Sequence, residues 1–250
     1  MTQTCSFVDG PQLYDAIYSF KNYARETVRL RHTIERFVPA ASTILDVACG
    51  TGEHARFLKD YYAVDGIDIN AEYLGAARLK NRSGTYLQAD MLDFDLGRTY
   101  DVVTCLFSAI GIVRSFERLE RAIACMVRHV RPGGALIIEP WFTPDNWCPG
   151  APLILMGEIG AEKIYRMSIG AAEGQSSVLL YNYLRCTPRG IEHYSARIEL
   201  GLFTRDEMTW AFESAGFSVR YDPTGLMGRG LYVGLQRSEL ASDAPALKAG

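Results

Sequence analysis

The stretch ILDVACGTG, at residues 44–52, constrains the fold of this chain more than any other. It joins an apolar run, typical of a buried strand, to a turn that contains Gly50 and Gly52. Glycine permits a tight turn and lets a ligand approach the backbone, because no Cβ stands in the way. Open α/β sheets bind ligands where such a turn follows a strand. We therefore expect a ligand-binding turn at the carboxyl end of the first core strand.

Predicted strands and helices alternate along most of the chain. Five segments, largely separated by helical ones, are predicted as strands: TILDVA, AVDGIDI, TYLQAD, YDVVTCLF and ALIIEPW. Two more strands, FSVRYD and GLYVGLQR, follow the last helix and predict a terminal antiparallel hairpin. Together these elements predict a doubly wound, mostly parallel, seven-stranded α/β sheet with helices on both faces.

Charge and cysteine content argue against several classes of partner. The 250 residues carry a formal net charge of −3 at pH 7, so a nucleic-acid partner is not expected. The sequence shows neither a long apolar run nor a basic and apolar leader, so we expect no membrane partner and no signal peptide. The six cysteines are scattered without Cys/His zinc spacing, which predicts reduced thiols, no bound metal and a cytoplasmic location.

Three acidic residues, Asp46, Asp68 and Asp90, lie at the ends of consecutive predicted strands. The segment GTGEHA, at residues 50–55, also fits the loose dinucleotide pattern, which would predict a nicotinamide or flavin enzyme. A carboxylate at Asp46 would repel a diphosphate at this turn, but it would attract a ligand with an ammonium group and a sulfonium centre. S-adenosylmethionine is such a ligand, and Asp68 and Asp90 are placed to accept hydrogen bonds from its ribose and its adenine amino group. The acidic strand ends therefore favour S-adenosylmethionine.

The same segments carry a family resemblance. LDVACGTG, GIDIN and LQADM resemble the first three motifs of class I S-adenosylmethionine-dependent methyltransferases, and the likeness covers about residues 11–236. YDAIYSFKNYARE, EPWF and GRGLYVG resemble N,N-dimethyltransferases of nucleotide-linked 3-amino deoxysugars from antibiotic pathways. The resemblance implies a Rossmann-like methyltransferase fold and a small-molecule acceptor from natural-product biosynthesis. The opening YSFKNY is shorter than is usual in that family and lacks an arginine.

The resemblance also implies roles for individual residues. Tyr23 would cover the methionine part of the cofactor, and Asp90 would frame the adenine together with Met91. The expected cofactor-binding residues are Tyr23, Asp46, Ala48, Gly50, Asp68, Ile69, Asp90, Met91, Leu106 and Phe107. The expected acceptor-binding residues are Tyr14, Tyr18, Trp141 and Arg229, with Tyr18 as the candidate catalytic residue. Arg229 lies between glycines, which suits a contact to a diphosphate.

The predicted function is N-methylation of a nucleotide-linked amino deoxysugar by in-line transfer from S-adenosylmethionine. Because the amine of such sugars has a pKa only a little above neutrality, a strong base is unnecessary, and Tyr18 or a carboxylate could receive the proton. A hydroxyl acceptor would need a base, and the loop FSAIGIV offers only Ser108. Two alternatives stay open: an O- or C-methyltransferase of another natural-product intermediate, and an S-adenosylmethionine-binding protein without catalysis.

The predicted elements divide the chain into an N-terminal segment, a core, an insertion and a tail. Residues 1–42 form a helical segment over the active site, and residues 43–148 and 203–237 form the cofactor-binding core. Residues 149–202 contain three predicted strands, which indicate an antiparallel insertion on the acceptor side or at a homodimer interface. Residues 238–250 are small and polar and are expected to form a flexible tail.

Overall fold

The computed structural model describes residues 3–4 and 10–237, so the predicted tail at 238–250 lies outside the described residues. The α-helices of the described chain are α1 Pro11–Ile17, α2 Tyr23–Phe37, α3 Glu53–Leu58, α4 Ala71–Lys80, α5 Phe116–Val127 and α6 Arg205–Ser214, and a 3-10 helix spans Ala109–Val113. Its strands are β1 Gln3–Thr4, β2 Thr43–Val47, β3 Ala63–Asp68, β4 Tyr86–Gln88, β5 Tyr100–Cys105, β6 Val130–Ile138, β7 Leu153–Ile159, β8 Glu162–Glu173, β9 Ser176–Thr187, β10 Gly190–Gly201, β11 Phe217–Asp222 and β12 Leu231–Gln236.

Seven strands form the larger sheet, in the order β11-β12-β6-β5-β2-β3-β4. The strands from β6 to β4 run parallel, and β12 runs antiparallel to both of its neighbours. Asp46 of β2 is in register with Gly66 of β3 and Thr104 of β5, so these three strands end at a common edge. The predicted doubly wound, mostly parallel, seven-stranded sheet is confirmed.

Helices cover both faces of this sheet and bury a hydrophobic layer on each side. Leu119 of α5 and Phe212 of α6 belong to one layer, and Leu30 of α2 and Leu74 of α4 belong to the other. Removing such side chains from water is the main favourable term in folding, and here it fixes the strand ends as a rigid edge. Within the described ranges, no helix is long and apolar enough to cross a membrane.

A second sheet combines four strands of the insertion with β1 from the N-terminal segment, in the order β1-β10-β9-β8-β7. It is antiparallel except for the pairing of β1 with β10. The sequence predicts three strands here, but the insertion contains a fourth, β7. That strand was missed because Ile154 and Met156 are exposed, so the segment LILMGEI has no alternation of buried apolar and exposed polar residues.

Helix α1 connects the two sheets. Gly157 of β7 lets the helix lie close to the inserted sheet, because a Cβ there would stand 2.5 Å from the carbonyl oxygen of Ala16. The carboxylate of Asp15 accepts a hydrogen bond from the Thr51 hydroxyl at 2.5 Å and pairs with Lys80 of α4 at 2.6 Å. These contacts hold the N-terminal helix over the edge at which β2, β3 and β5 end.

Candidate active site

A cavity of about 760 Å³ lies between the carboxyl edge of the larger sheet and the inserted sheet. Its volume is in the upper part of the range for small-molecule sites. It is lined by most of the predicted site residues: Tyr14, Tyr18, Ala48, Gly50, Asp68, Ile69, Asp90, Met91, Leu106, Phe107, Trp141 and Arg229. Tyr23 and Asp46, the remaining predicted site residues, line an adjoining recess of about 40 Å³. The fold therefore brings all of the predicted site residues to one edge of the sheet.

The glycine turn after β2 shapes one wall of the cavity. Ala48, Gly50 and Gly52 have φ values of 56°, 55° and 76°, in the left-handed region that glycine adopts without steric cost. A Cβ on Gly50 would meet no atom within 4 Å, whereas a Cβ on Gly52 would lie 2.8 Å from the Cβ of Ala77. Gly50 thus leaves space for a ligand, and Gly52 lets α3 pack closely against α4.

Asp68, the last residue of β3, braces this turn. Its two carboxylate oxygens accept hydrogen bonds from the backbone N–H groups of Gly50 and Asn70, both at 2.8 Å. Burial raises the pKa of Asp68 in spite of these bonds. Each carboxylate oxygen can accept a further hydrogen bond, and the residue lines the cavity. This arrangement fits the predicted contact to ribose hydroxyls.

Asp46 is a buried acid without a counter-ion. It is 2% exposed and accepts a hydrogen bond from the Thr104 hydroxyl at 2.8 Å. Burial raises its pKa from 3.8 to about 6. His54 is paired with Glu26, and no described Lys, Arg or His lies within ion-pair distance of the Asp46 carboxylate. A buried carboxylate in this state attracts a cation, which fits the ammonium and sulfonium groups of S-adenosylmethionine.

The loop after β5 has an uncommon backbone conformation. Phe107 and Ser108 have φ values of 51° and 62°, although neither residue is glycine. The Phe107 N–H donates to the carboxylate of Glu139 at 2.7 Å, and the Ser108 hydroxyl donates to the carbonyl of Pro140 at 2.7 Å. These bonds fix the Phe107 ring at the cavity wall, beside Leu106, where the methionine part of the cofactor is expected.

Beside this loop lies a buried set of charges that was not identified from the sequence. Lys21 pairs with Glu26 at 3.0 Å, and Glu26 also bonds to His54 at 2.9 Å. Burial lowers the pKa of Lys21, whereas the bonds from His54 and Lys21 outweigh burial and lower the pKa of Glu26. Arg229 lies 3.6 Å from Glu139. Both cations therefore already have a carboxylate partner.

Tyrosines from α1 and the inserted sheet form the opposite wall. The ring centroid of Tyr18 lies 4.6 Å from that of Tyr14 and 5.1 Å from that of Phe107. The Tyr18 oxygen accepts a hydrogen bond from Nη1 of Arg166 at 2.8 Å. Arg166 of β8 is only 3% exposed, and no sequence pattern distinguishes it from Arg197, an exposed arginine on β10 of the same sheet. Tyr18 thus connects the expected cofactor side to the inserted sheet.

Aromatic rings complete the cavity. Trp141 donates its Nε1–H to the hydroxyl of Ser177 at 2.8 Å, and its ring centroid lies 4.7 Å from that of Phe142 and 5.8 Å from that of Trp147. All three rings line the cavity, although only Trp141 was predicted to do so. The rings are inclined to one another, with interplanar angles of 72° for Trp141 and Phe142 and 44° for Trp141 and Trp147. Together they form an apolar wall, and the face of one ring could stack against a planar ligand group.

Comparison with known proteins decides the family. The sequence matches the family described as "Methyltransferase domain" over residues 44–134. It is 39% identical to the dTDP-3-amino-3,6-dideoxy-alpha-D-glucopyranose N,N-dimethyltransferase of Streptomyces fradiae over 228 residues, which are 90% of this chain and 89% of that protein. The chain belongs to the S-adenosylmethionine-dependent methyltransferase family.

Solved structures of similar proteins agree with the assignment of this chain to the methyltransferase family. The sugar N-methyltransferase KedS8 from Streptoalloteichus has a TM-score of 0.87 at 32% identity, with 95% of this chain and 98% of that chain covered. The amino pentose methyltransferase CalS10 from Micromonospora echinaspora, solved with S-adenosylmethionine bound, has a TM-score of 0.83 at 30% identity. That comparison covers 95% of this chain and 100% of CalS10. The predicted family, enzyme class and cofactor are confirmed, whereas the roles of single residues stay predictions.

The methyltransferase shows no arrangement for a metal ion in the part of the chain that the structure describes. There, no group of three or more His, Cys, Asp or Glu side chains could hold one. The polar groups at the cavity instead match the cofactor. Asp46 is a buried acid without an ion-pair partner and would suit the cationic part, Asp68 has acceptor positions that would suit the ribose, and the backbone at Gly50 faces open space.

Proposed function

We propose that the methyltransferase transfers methyl groups to the amine of a nucleotide-linked amino deoxysugar. The observation that carries the proposal is one continuous cavity, in which an acidic sheet edge faces a wall of aromatic rings and arginines. The acidic edge would bind the cofactor, and the opposite wall would bind the acceptor. The name of the relative from Streptomyces fradiae, an N,N-dimethyltransferase of a dTDP-amino sugar, supports the same acceptor class.

The chain would act mainly by alignment and by exclusion of water. When bound, S-adenosylmethionine supplies a methyl group that its sulfonium centre activates for displacement. Leu106, Phe107 and Tyr18 would surround the reacting atoms, with Tyr18 and Phe107 packed edge to face. Holding the amine in line with the methyl group, with water displaced by the two ligands, can supply much of the rate enhancement.

The cavity lining favours an amine over a hydroxyl as the acceptor. Its carboxylates, Asp68 and Asp90, lie at the expected cofactor side, and the described lining includes no histidine. The Ser108 hydroxyl donates to a backbone carbonyl, and the Tyr18 oxygen already accepts from Arg166. An amine that arrives uncharged needs no base for the displacement and can release its proton to water afterwards. Tyr18 is thus proposed to position the amine, with no requirement that it receive the proton.

A panel of acceptors with isotopically labelled cofactor tests this proposal. Label should pass to dTDP-linked 3-amino or 4-amino deoxysugars, and a second transfer to the same nitrogen should follow the first. The matched hydroxyl sugars should remain unlabelled. Transfer to a hydroxyl sugar alone would replace the proposal by O-methylation, and cofactor binding without turnover on any acceptor would contradict catalysis.

The proposal includes a homodimer formed through the outer face of the inserted sheet, opposite the cavity. This face carries exposed apolar side chains, which cross-strand pairing places next to each other: Ile154, Met156, Tyr165, Met167, Ile169 and Leu180. Contiguous apolar patches of this kind mark interaction surfaces. Light scattering should give a dimer for the native chain and a monomer for Met167→Asp, whereas the control Ser218→Asp on β11 should stay dimeric.

A cytoplasmic location stays part of the proposal. The five described cysteines, Cys49, Cys105, Cys125, Cys148 and Cys186, are all free, as is usual where thiols are kept reduced. Fractionation of expressing cells into cytoplasm, membrane and medium checks the location. Recovery of the methyltransferase mainly from the membrane or the medium would contradict it.

A further inference from the structure

Arg166 is a buried cation without a counter-ion. It is 3% exposed and lines the cavity from β8. Its Nη1 donates to the Tyr18 oxygen at 2.8 Å, and its Nε is buried without a hydrogen-bond partner. Among the described residues, no Asp or Glu lies within ion-pair distance of the guanidinium. A buried charge in this state is costly, so the structure leaves a positive charge that an anion would satisfy.

The other cations at or near the cavity differ from Arg166 in this respect. Arg229, which lines the cavity, lies 3.6 Å from Glu139. Lys21, which packs on the Phe107 ring behind the cavity wall, lies 3.0 Å from Glu26. A third cation, Arg118, is exposed and therefore hydrated. Unmatched positive charge is thus concentrated at one point, on the wall that the inserted sheet contributes.

Aromatic rings hold this guanidinium in place. Its central carbon lies 4.4 Å from the ring centroid of Tyr181 and 5.1 Å from that of Tyr18. Stacking occupies the faces of the guanidinium and leaves N–H groups at its edge for bonds in the plane. The arginine fork matches the oxygens of a phosphate, to which it can donate two parallel hydrogen bonds. The Arg166 guanidinium is therefore preorganised to bind an oxyanion.

We propose that Arg166 binds the diphosphate of the acceptor. This inference rests on the proposed function, because the diphosphate belongs to the proposed acceptor. The carboxylate of the cofactor is another candidate anion. However, the cofactor's methionine part is expected beside Asp46 and Tyr23, in the recess whose lining does not include Arg166. Arg166 is thus a specificity-determining residue by which the inserted sheet selects nucleotide-linked sugars over free ones.

Binding of thymidine diphosphate alone tests the proposal without turnover. Calorimetry should show that Arg166→Met weakens binding roughly 10- to 100-fold, the range for charge-assisted hydrogen bonds. Arg166→Lys keeps the positive charge but cannot donate two parallel hydrogen bonds. Its affinity for thymidine diphosphate should therefore lie between that of the native chain and that of Arg166→Met. Arg197→Met is the matched control, because this exposed arginine lies on β10 of the same sheet, and its affinity should equal that of the native chain. The affinity for S-adenosylhomocysteine should be unchanged in every variant.

Turnover then separates charge recognition from structural support. Arg166→Met should lower kcat/KM for the nucleotide-linked amino sugar by roughly 10- to 100-fold more than it lowers kcat/KM for an uncharged alkyl glycoside of the same sugar, because the loss of the bond to Tyr18 affects both acceptors equally. Equal losses on both acceptors, a loss of S-adenosylhomocysteine affinity instead, or failure of both variants to fold would overturn the proposal. If the native chain binds thymidine diphosphate through Arg166 but methylates no amino sugar, the proposed function fails and the anion site stands.

Discussion

Replacing Asp46 by Asn should stabilise the ligand-free methyltransferase and weaken its complex with the cofactor. Burial raises the pKa of this carboxyl from 3.8 to about 6. One pKa unit corresponds to about 1.36 kcal/mol, so the charged form lowers the free energy of unfolding by about 3 kcal/mol above pH 6. Asparagine has nearly the same size, and its side-chain oxygen can still accept the 2.8 Å hydrogen bond from Thr104.

The pH dependence of this effect follows from the direction of the shift. Because the pKa is higher in the folded protein than in the unfolded chain, the folded protein binds the proton more tightly. The stability contributed by protonated Asp46 is complete below about pH 4 and is lost as the pH rises through about 6. We therefore expect Asp46→Asn to raise the free energy of unfolding by roughly 1–3 kcal/mol at pH 8 and by less at pH 5.

Urea unfolding at pH 5 and pH 8 measures this difference, with Asp60→Asn as the control because Asp60 is exposed. Calorimetric titration with S-adenosylhomocysteine should show roughly 10- to 100-fold weaker binding to Asp46→Asn, because a charge-assisted hydrogen bond is lost. Higher stability together with weaker cofactor binding is the result expected if the Asp46 carboxylate serves to bind a cation and does not stabilise the fold. Equal destabilisation at both pH values, or unchanged affinity, would refute the reasoning.

Three further variants test single contacts. Asp68→Ala should weaken S-adenosylhomocysteine binding at least about 10-fold, because it removes both the predicted ribose acceptor and the brace on Gly50; unchanged affinity by calorimetry would contradict the ribose assignment. Gly52→Ala should lower the free energy of unfolding by roughly 2–4 kcal/mol in urea, because the new Cβ meets Ala77 at a positive φ; a loss below 1 kcal/mol would contradict the packing argument. Arg229→Ala should raise the acceptor KM and leave cofactor affinity unchanged, and the reverse result would show that Arg229 serves the cofactor.

The sheet and its acidic edge could be predicted from the sequence because both depend on local signals. Apolar runs define the strands, and the carboxyl ends of parallel strands must meet at one edge. Asp46, Asp68 and Asp90 therefore come together once the strand order is right. Gly50 and Gly52 indicate a turn by their residue type. Only the structure shows that Gly50 faces the cavity and that Gly52 faces helix α4.

The acceptor wall could be predicted only in part: Tyr18 and Trp141 line the cavity as expected, whereas Arg166 was missed because its place depends on contacts between distant parts of the chain. Arg166 and Tyr18 are 148 residues apart and meet only after α1 has docked on the inserted sheet. Glu139, directly after β6, and Arg229, shortly before β12, are likewise distant in the sequence and lie 3.6 Å apart only in the folded chain. Strand β7 was missed for another reason: Leu155 packs against the core under α1, but its neighbours Ile154 and Met156 are apolar and exposed, so the sequence shows no alternation.

Competition between two matched acceptors tests the central claim, that the cavity aligns an uncharged amine with the activated methyl group without a general base. The methyltransferase would receive S-adenosylmethionine and an equimolar mixture of a dTDP-linked amino deoxysugar and its hydroxyl counterpart. Mass spectrometry of the products should show mono- and then dimethylated amino sugar, with the hydroxyl sugar unchanged. Methylation of the hydroxyl sugar at a comparable rate would contradict the claim, because that reaction requires a base that the described lining does not provide.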